Sequence, residues 1–177
     1  MAERQSFAPN FVKATPAGDD RVRDVCDRCG FIDYRNPKIV VGSVLSHQGA
    51  VLLCRRAIEP RRGFWTLPAG YLEIGESVED GARREAYEEA RVTPIFDQVL
   101  AVYSVPRISQ VQILFRGRLG TPDFAPGPES LEVRLFEWVD IPWPDLAFPT
   151  VGWALRHWRE SADRARFPAF ANPLDGL

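Results

Sequence analysis

Residues 70–92 read GYLEIGESVEDGARREAYEEARV, and this stretch is the most informative part of the chain. Four of its carboxylates are of particular interest: Glu76, Glu85, Glu88 and Glu89. At 3.6 residues per turn, the last three fall within roughly 100° of one another on a helix. Carboxylates this close repel one another unless a hard cation such as Mg²⁺ takes their oxygen atoms as ligands. The alternative is a solvated acidic helix whose Arg–Glu pairs face water.

Local signals mark where this helix begins and how it packs. Ser77 is a suitable N-cap, and acidic residues follow in the first turn, where the helix dipole favours negative charge. The two glycines of the preceding loop would bring Glu76 beside the helix. Arg84 lies one turn before Glu88 and is expected to pair with it. A stripe of small residues is suited to close packing on a sheet: Val78, Ala82, Ala86 and Ala90.

The spacing resembles the Nudix box, a family motif in which glycine, glutamate and an R-E-x-x-E-E group recur at set intervals. The matching positions are Gly70, Glu76, Arg84, Glu85, Ala86, Glu88, Glu89 and Val92. Arg91 departs from the motif, because the family usually has a glycine there that ends the helix. The resemblance implies an α/β/α sandwich with a mixed sheet. It also implies Mg²⁺, which Mn²⁺ can replace, held by Gly70, Glu76, Glu85, Glu88 and Glu89.

Segments outside the box resemble one branch of this family, the FAD and ADP-ribose diphosphatases. These segments are YRNPKIVVG (residues 34–42), WTLPAGYLE (65–73) and APGPESLE (125–132). The SQPWPFPxS signature of the NADH diphosphatases does not occur after the box. The implied activity is hydrolysis of a nucleoside diphosphate linked to another moiety, with ADP-ribose or FAD as substrate and AMP as a product. NADH, nucleoside triphosphates or a non-catalytic nucleotide-sensing role are the alternatives.

Further candidates for the chemistry lie outside the motif. In the family, a glutamate of the box or of a later loop accepts the proton of the attacking water, with Arg84 orienting the box carboxylates. The candidates here are Glu85, Glu88 and Glu89 in the box and Glu129 and Glu132 in the loop. Because the planar fork of arginine suits phosphate oxygens, the candidate substrate-binding residues are Arg56, Arg61, Arg62 and Arg107. Tyr103 is a candidate for stacking on adenine, and a place in the core is its alternative.

The N-terminal segment contains half of a zinc knuckle, Cys26-x-x-Cys29. It resembles the zinc ribbon that precedes some Nudix domains, but Ala8 and Phe11 stand where the first cysteine pair would be. A tetrahedral zinc site needs four ligands. We therefore expect no zinc, and we expect Phe7 and Phe11 to supply apolar packing in its place.

The resemblance implies a Nudix hydrolase domain over residues 37–177, preceded by a small irregular segment over residues 1–36 that is similar to a degenerate zinc ribbon. Apolar, β-rich runs predict strands at residues 38–46, 51–56, 64–67, 98–105, 111–119 and 131–139. A closing amphipathic helix is predicted over residues 150–164. A mixed sheet with one helix on each face accounts for this order.

Composition limits the partners that the chain is expected to have. The net charge of −2 over 177 residues does not favour nucleic acid or membranes. No apolar run reaches membrane-spanning length, and the first residues lack a signal-peptide core. Three cysteines are too few for a disulfide framework, which fits a cytosolic location. The resemblance adds the expectation of a homodimer with a small nucleotide substrate.

Overall fold

The computed structural model describes residues 9–174. The chain forms two compact units, with the boundary between Asn36 and Pro37. The sequence predicts that residues 1–36 and residues 37–177 are separate domains, and that division stays a prediction. Among the described helices, none is long and apolar enough to cross a membrane.

The N-terminal unit is a three-stranded antiparallel sheet in the order β1-β2-β3. Its strands are β1 (Phe11–Ala14), β2 (Arg23–Cys26) and β3 (Ile32–Asp33). The expectation of an irregular segment is therefore wrong. Lys13 lies opposite Asp24 across the first pair, with its Nζ 2.8 Å from the carboxylate. Short strands held by such charged pairs lack the alternating apolar pattern that reveals a strand in sequence.

The second unit is built on a seven-stranded mixed sheet. Its main path runs β10-β5-β4-β9-β8, with β6 paired to β5 and β7 paired to β4. Strands β4 and β9 are parallel, and the other pairs are antiparallel. The strands are β4 (Lys38–His47), β5 (Ala50–Arg56), β6 (Trp65–Thr66), β7 (Ala69–Tyr71), β8 (Ile95–Val105), β9 (Gln110–Arg118) and β10 (Ser130–Phe136).

Two helices cover the sheet, α1 (Val78–Ala90) and α2 (Pro149–Glu160). Side chains alternate between the two faces along a strand. On β4, Val44 packs in the apolar cluster that contains α2, whereas Leu45 packs in the cluster that contains α1. The expected α/β/α sandwich with a mixed sheet is confirmed. Short 3₁₀ turns follow β8 and β10, at Pro106–Ile108, Trp138–Asp140 and Trp143–Asp145.

Helix α1 begins and ends as its local sequence allows. Ser77 is the N-cap, and its hydroxyl accepts a hydrogen bond from the Asp80 N–H at 3.1 Å. Arg91 adopts a left-handed φ of 59°, and its N–H donates to the Tyr87 carbonyl at 2.9 Å. Arg91 thus ends the helix in the conformation that glycine usually supplies, at a cost of about 1–2 kcal/mol. The predicted small-residue stripe is fully buried at Ala82, Ala86 and Ala90.

In the second unit, the predicted strands match the observed ones to within a few residues, and two differences concern other elements. Strand β7 is missing from the prediction, because its three residues are too few for a pattern. Helix α2 ends at Glu160 rather than at Arg164. Both differences lie at short or terminal segments, where sequence patterns carry the least information.

Candidate active site

A cleft opens where β4 and β5 separate. The two strands pair beside their hairpin, at Ser46–His47 and Ala50–Val51. Farther along, β5 pairs with β6 and β4 pairs with β7. The cleft has a volume of about 1180 Å³ and is lined by β7, by α1 and by residues around 56–60, 105–112 and 148–153. This is larger than most small-molecule sites.

One arginine holds three of the predicted metal ligands. Arg84 donates from Nε to Glu76 Oε1 at 2.6 Å, and from Nη1 to Glu85 Oε1 at 2.6 Å and Glu88 Oε2 at 2.9 Å. Its Nη2 donates to the Tyr71 carbonyl at 2.9 Å. The hydrogen bond from Arg84 is the main reason that the pKa of Glu76 is lowered. The expected contact of Arg84 with Glu88 is present, and the same guanidinium also ties β7 and the following loop to α1.

Glu89 has the most strongly perturbed pKa of the box carboxylates. It is 6% exposed, and no described residue donates a hydrogen bond to its Oε2. Burial, followed by the charge of Glu85, raises the pKa of Glu89 to about 8. Burial also raises the pKa of Glu85, which is 8% exposed. A buried carboxylate oxygen without a partner is costly, and a cation that takes oxygen ligands would stabilise it.

Two glycines allow the close approaches that build this site. A Cβ atom on Gly70 would overlap with the carboxylate of Glu85. A Cβ atom on Gly127 would overlap with the carbonyl oxygen of Glu88, and the Gly127 N–H donates to the Glu89 carbonyl at 3.0 Å. A side chain at Gly127 would meet the backbone of α1 and push the 125–129 loop away from the helix, whereas a side chain at Gly70 would displace the Glu85 carboxylate.

The carboxylates of α1 are not arranged around one point. Within residues 9–174, no three His, Cys, Asp or Glu side chains are placed to hold a metal ion. At α1, Arg84 engages oxygens of Glu76, Glu85 and Glu88 instead. The oxygen donors fit a hard divalent cation chemically, although they must turn away from Arg84 to bind one. The predicted metal-ligand roles therefore stay predictions.

The two loop glutamates lie in different surroundings. Glu129 lines the cleft, and its charge adds to burial in raising the pKa values of Glu85 and Glu89. Glu132 lies in the edge strand β10, with its Oε2 3.7 Å from Arg55 Nη1, and does not line the cleft. Its role as a general base is not supported, because its carboxylate pairs at the strand edge.

The candidate arginines divide in the same way. Arg56 and Arg107 line the cleft, whereas Arg61 and Arg62 are exposed and do not line it. The guanidinium of Arg56 lies 5.3 Å from the centre of the Phe148 ring. The structure therefore keeps Arg56 and Arg107 as candidates for substrate contact and does not support Arg61 or Arg62.

Tyr103 is a core residue, so the prediction that it contacts substrate is wrong. Its side chain has no exposed surface, and its hydroxyl lies 2.6 Å from Nδ1 of His157. Its ring packs edge-on against Trp153 at 5.4 Å. Sequence reasoning missed the aromatic residues that do line the cleft: Tyr71, Phe148 and Trp153. Tyr71 directly follows Gly70 of the box, and this position next to the motif is the sequence feature that could have indicated a cleft residue.

The N-terminal knuckle is held by side-chain contacts and backbone hydrogen bonds. The rings of Phe11 and Phe31 meet edge to face at 6.4 Å, so Phe11 supplies apolar packing as expected. Backbone N–H groups at Arg28 and Cys29 lower the pKa of Cys26 by hydrogen bonding to its sulfur. Phe7 and Ala8 lie outside the described residues. The absence of zinc stays a prediction.

Comparison with known proteins gives consistent matches. A family model described as NUDIX domain matches residues 35–157, and one described as Nudix N-terminal matches residues 10–35. A crystal structure of a NUDIX hydrolase from Nitrosomonas europaea superposes with a TM-score of 0.87 at 42% identity, covering 94% of this chain and 95% of that chain.

Two named relatives cover less of the chain. An ADP-ribose pyrophosphatase from Methanocaldococcus jannaschii is 30% identical over 119 residues, which are 65% of this chain and 69% of the relative. The NAD-capped RNA hydrolase NudC of Haemophilus influenzae (strain PittGG) is 30% identical over 81 residues, which are 45% of this chain and 31% of the relative. The match to that second relative therefore leaves most of its length uncovered.

Proposed function

The chain belongs to the Nudix hydrolases, a family that depends on divalent metal ions, and from this we propose that it cleaves ADP-ribose and releases AMP. FAD is the second candidate substrate. The observation that carries the proposal is the group of four carboxylates beside a cleft of about 1180 Å³, a volume that suits a dinucleotide. The name of the M. jannaschii relative supports ADP-ribose.

We propose Mg²⁺ as the metal, with Mn²⁺ as a substitute. The ligands would come from the carboxylates of Glu76, Glu85, Glu88 and Glu89 and from the Gly70 carbonyl. When bound, a divalent cation neutralises the diphosphate and lowers the pKa of a coordinated water. The unpartnered Oε2 of Glu89 supports this placement, because burial without a partner is unfavourable for that oxygen.

Glu129 is our candidate for the group that accepts the proton of the attacking water. The Glu129 carbonyl accepts a hydrogen bond from the Ala57 N–H at 2.8 Å, which fixes the backbone of its loop at the cleft. Glu129 lines the same cleft as Glu85 and Glu89, and its charge contributes to raising the pKa of both. A glutamate of the box is the alternative general base.

Arg56 is our candidate for holding the diphosphate. Its Nε donates to the Pro60 carbonyl at 2.8 Å, and its two Nη groups have no hydrogen-bond acceptor among residues 9–174. Its charge lowers the pKa of Glu89, although burial and Glu85 raise that pKa by more. Arg56 lines the same cleft as the α1 carboxylates, which supports a contact between its guanidinium and a phosphate bound beside them.

A hydrolysis panel with product identification tests the proposed function. Purified protein with Mg²⁺ is given ADP-ribose, FAD, NADH, a nucleoside triphosphate and NAD-capped RNA, the last because of the name of the H. influenzae relative. We expect AMP from ADP-ribose, strongly reduced in Glu89→Gln but not in Glu79→Gln. Glu79 is a suitable control because it lies on the same helix, pairs with Arg83 and does not line the cleft. Cleavage of the triphosphate alone would show that the assignment is wrong.

The remaining expectations about partners stay proposals. We propose a homodimer on the basis of the family resemblance, and sedimentation velocity measures it directly. The net charge of −2 supports a small-molecule substrate over RNA or a membrane surface. A cytosolic location likewise stays a proposal.

A further inference from the structure

The cleft has a second wall, on the face of the sheet that α2 covers. Because side chains alternate along a strand, Lys38 shares the face of Val44 on β4, and Gln110 and Gln112 share the face of Leu114 on β9. Val44 and Leu114 both pack in the cluster that contains α2. The polar members of these rows line the cleft. This wall therefore lies on the opposite face of the sheet from α1 and its glutamates.

Tyr71 fixes the polar side chains of this wall. Lys38 Nζ lies 4.9 Å from the centre of the Tyr71 ring, in a cation–π contact. Gln110 Nε2 donates to the Tyr71 hydroxyl at 3.4 Å, and Gln112 Nε2 donates to Gln110 Oε1 at 3.3 Å. The Tyr71 ring is 47% exposed and lines the cleft. The cation–π contact places the Lys38 ammonium beside the Tyr71 ring at the opening of the cleft.

Arg107 lies at the same end of the cleft. The Lys38 N–H donates to the Ser109 carbonyl at 2.9 Å, and Lys38 is in register with Gln110. The turn Pro106–Ile108 therefore lies beside the first residue of β4, and Lys38 and Arg107 both line the cleft.

These two cations differ from Arg84 in their lack of acidic partners. Among residues 9–174, neither Lys38 nor Arg107 has a carboxylate oxygen within the 4.0 Å of an ion pair, whereas Arg84 pairs with three glutamates. Glu73 also lines the cleft, and it forms no ion pair with either cation. The positive charge at this end of the cleft is therefore available to a ligand.

We propose that Lys38 and Arg107 form a subsite for a phosphomonoester on the substrate, separate from the diphosphate that is cleaved. This inference rests on the proposed function, in which Arg56 and the α1 carboxylates already serve the diphosphate. Two cations without acidic partners attract a dianion, and the guanidinium fork matches phosphate oxygens. The substrate class is a dinucleotide with an additional phosphate on a ribose, for example at the 2′ position.

A binding measurement tests the subsite without hydrolysis. Titration calorimetry compares AMP with 2′,5′-ADP in the presence of Mg²⁺. We expect 2′,5′-ADP to bind roughly tenfold more tightly or better, since hydrogen bonds to charged groups contribute about one such factor each. In the double variant Lys38→Met, Arg107→Gln, the ratio should fall toward one. An equal affinity in the unmodified protein, an unchanged ratio in the double variant, or no measurable binding of 2′,5′-ADP would overturn the inference.

A kinetic comparison separates this inference from the proposed function. The ratio of kcat/KM for ADP-ribose 2′-phosphate over ADP-ribose is measured in the unmodified protein and in the double variant. Hydrolysis of both at equal kcat/KM refutes the subsite and leaves the proposed function standing. If neither is hydrolysed, the proposed function fails and the calorimetric ratio still decides the subsite. Arg134→Gln with Arg159→Gln is the charge-matched control, since both are exposed and lie outside the cleft lining, and it should keep the preference.

Discussion

Replacing Arg84 with Gln should destabilise the metal-free chain and should make its stability depend strongly on Mg²⁺. The side chain of Arg84 is 26% exposed, and its partners Glu76 and Glu85 are 20% and 11% exposed. Glu88, the third partner, is 53% exposed. Without the guanidinium, the two less exposed carboxylates lose their cationic partner and repel their neighbours.

The size of the loss follows from these exposures. A hydrogen bond to a charged group contributes about 1.5–3 kcal/mol when it is largely shielded, and an exposed ion pair contributes about 0–1 kcal/mol. Because contacts of one side chain are not additive, we expect a loss of about 3 kcal/mol rather than the full sum. For a chain of this size, that loss lowers the Tm by about 6–12 °C.

Thermal unfolding in EDTA and in Mg²⁺ measures the effect. Arg83→Gln is the control, because Arg83 is on the same helix and has one partner carboxylate, the half-exposed Glu79. Arg83 also donates to the Pro94 carbonyl and lies over the Phe96 ring, so its loss should be about 1–2 kcal/mol and independent of Mg²⁺. In Arg84→Gln, Mg²⁺ should restore stability by more than it stabilises the unmodified chain, because the cation no longer competes with Arg84. Equal stability of Arg84→Gln and the unmodified chain in EDTA, or equal losses in the two variants, would refute this reasoning.

Three further changes have definite expected outcomes. Glu89→Gln should lower kcat by about 100-fold or more. The Tm in EDTA should be unchanged or raised, because the substitution removes a buried carboxylate. Steady-state kinetics and calorimetry on one preparation measure both. Gly127→Ala should cost about 1–3 kcal/mol in urea unfolding, because the added Cβ overlaps with the backbone carbonyl of Glu88, and an unchanged midpoint would contradict it. Burial lowers the pKa of His157, so the folded state favours the neutral ring. The contribution of the neutral His157 ring to the stability of the fold should be fully present above the pKa of histidine in the unfolded chain, about 6.5, and should decrease as the pH falls below it. Between pH 8 and pH 5, the Tm should therefore fall less in His157→Gln than in the unmodified protein.

Helix α1 could be predicted from sequence nearly to its ends, because its determinants are local. Its N-cap, its first-turn acids and its buried alanine stripe all lie within the segment itself. The identity of Arg91 left the end of the helix open, because only the structure shows a non-glycine residue in the left-handed region at that position. The contact of Arg84 with Glu88 was predictable for the same reason, since it joins residues one helical turn apart.

The error at Tyr103 and the position of Glu132 outside the cleft have a different origin. Both faces of the central sheet are covered by helices, so alternation along β8 does not reveal which side chains face a cleft and which face the core. For Glu132, the register of β10 against β5 shifts between Ser130 and Glu132. Such an irregularity changes which side chain of two neighbours points to a site, and nothing in the local sequence marks it.

The same difference between one continuous segment and several distant segments explains why the catalytic motif is easier to recognise in the sequence than the substrate pocket. The carboxylates are specified by one continuous segment, whereas Arg56, Tyr71, Gln110 and Phe148 come together because β4 and β5 diverge and β7 fills the space beside β4. Substrate selection can therefore change through any of several distant segments without disturbing α1. The cations at Lys38 and Arg107 lie on such segments, and differences in substrate preference among related chains are expected to map to these positions rather than to the box.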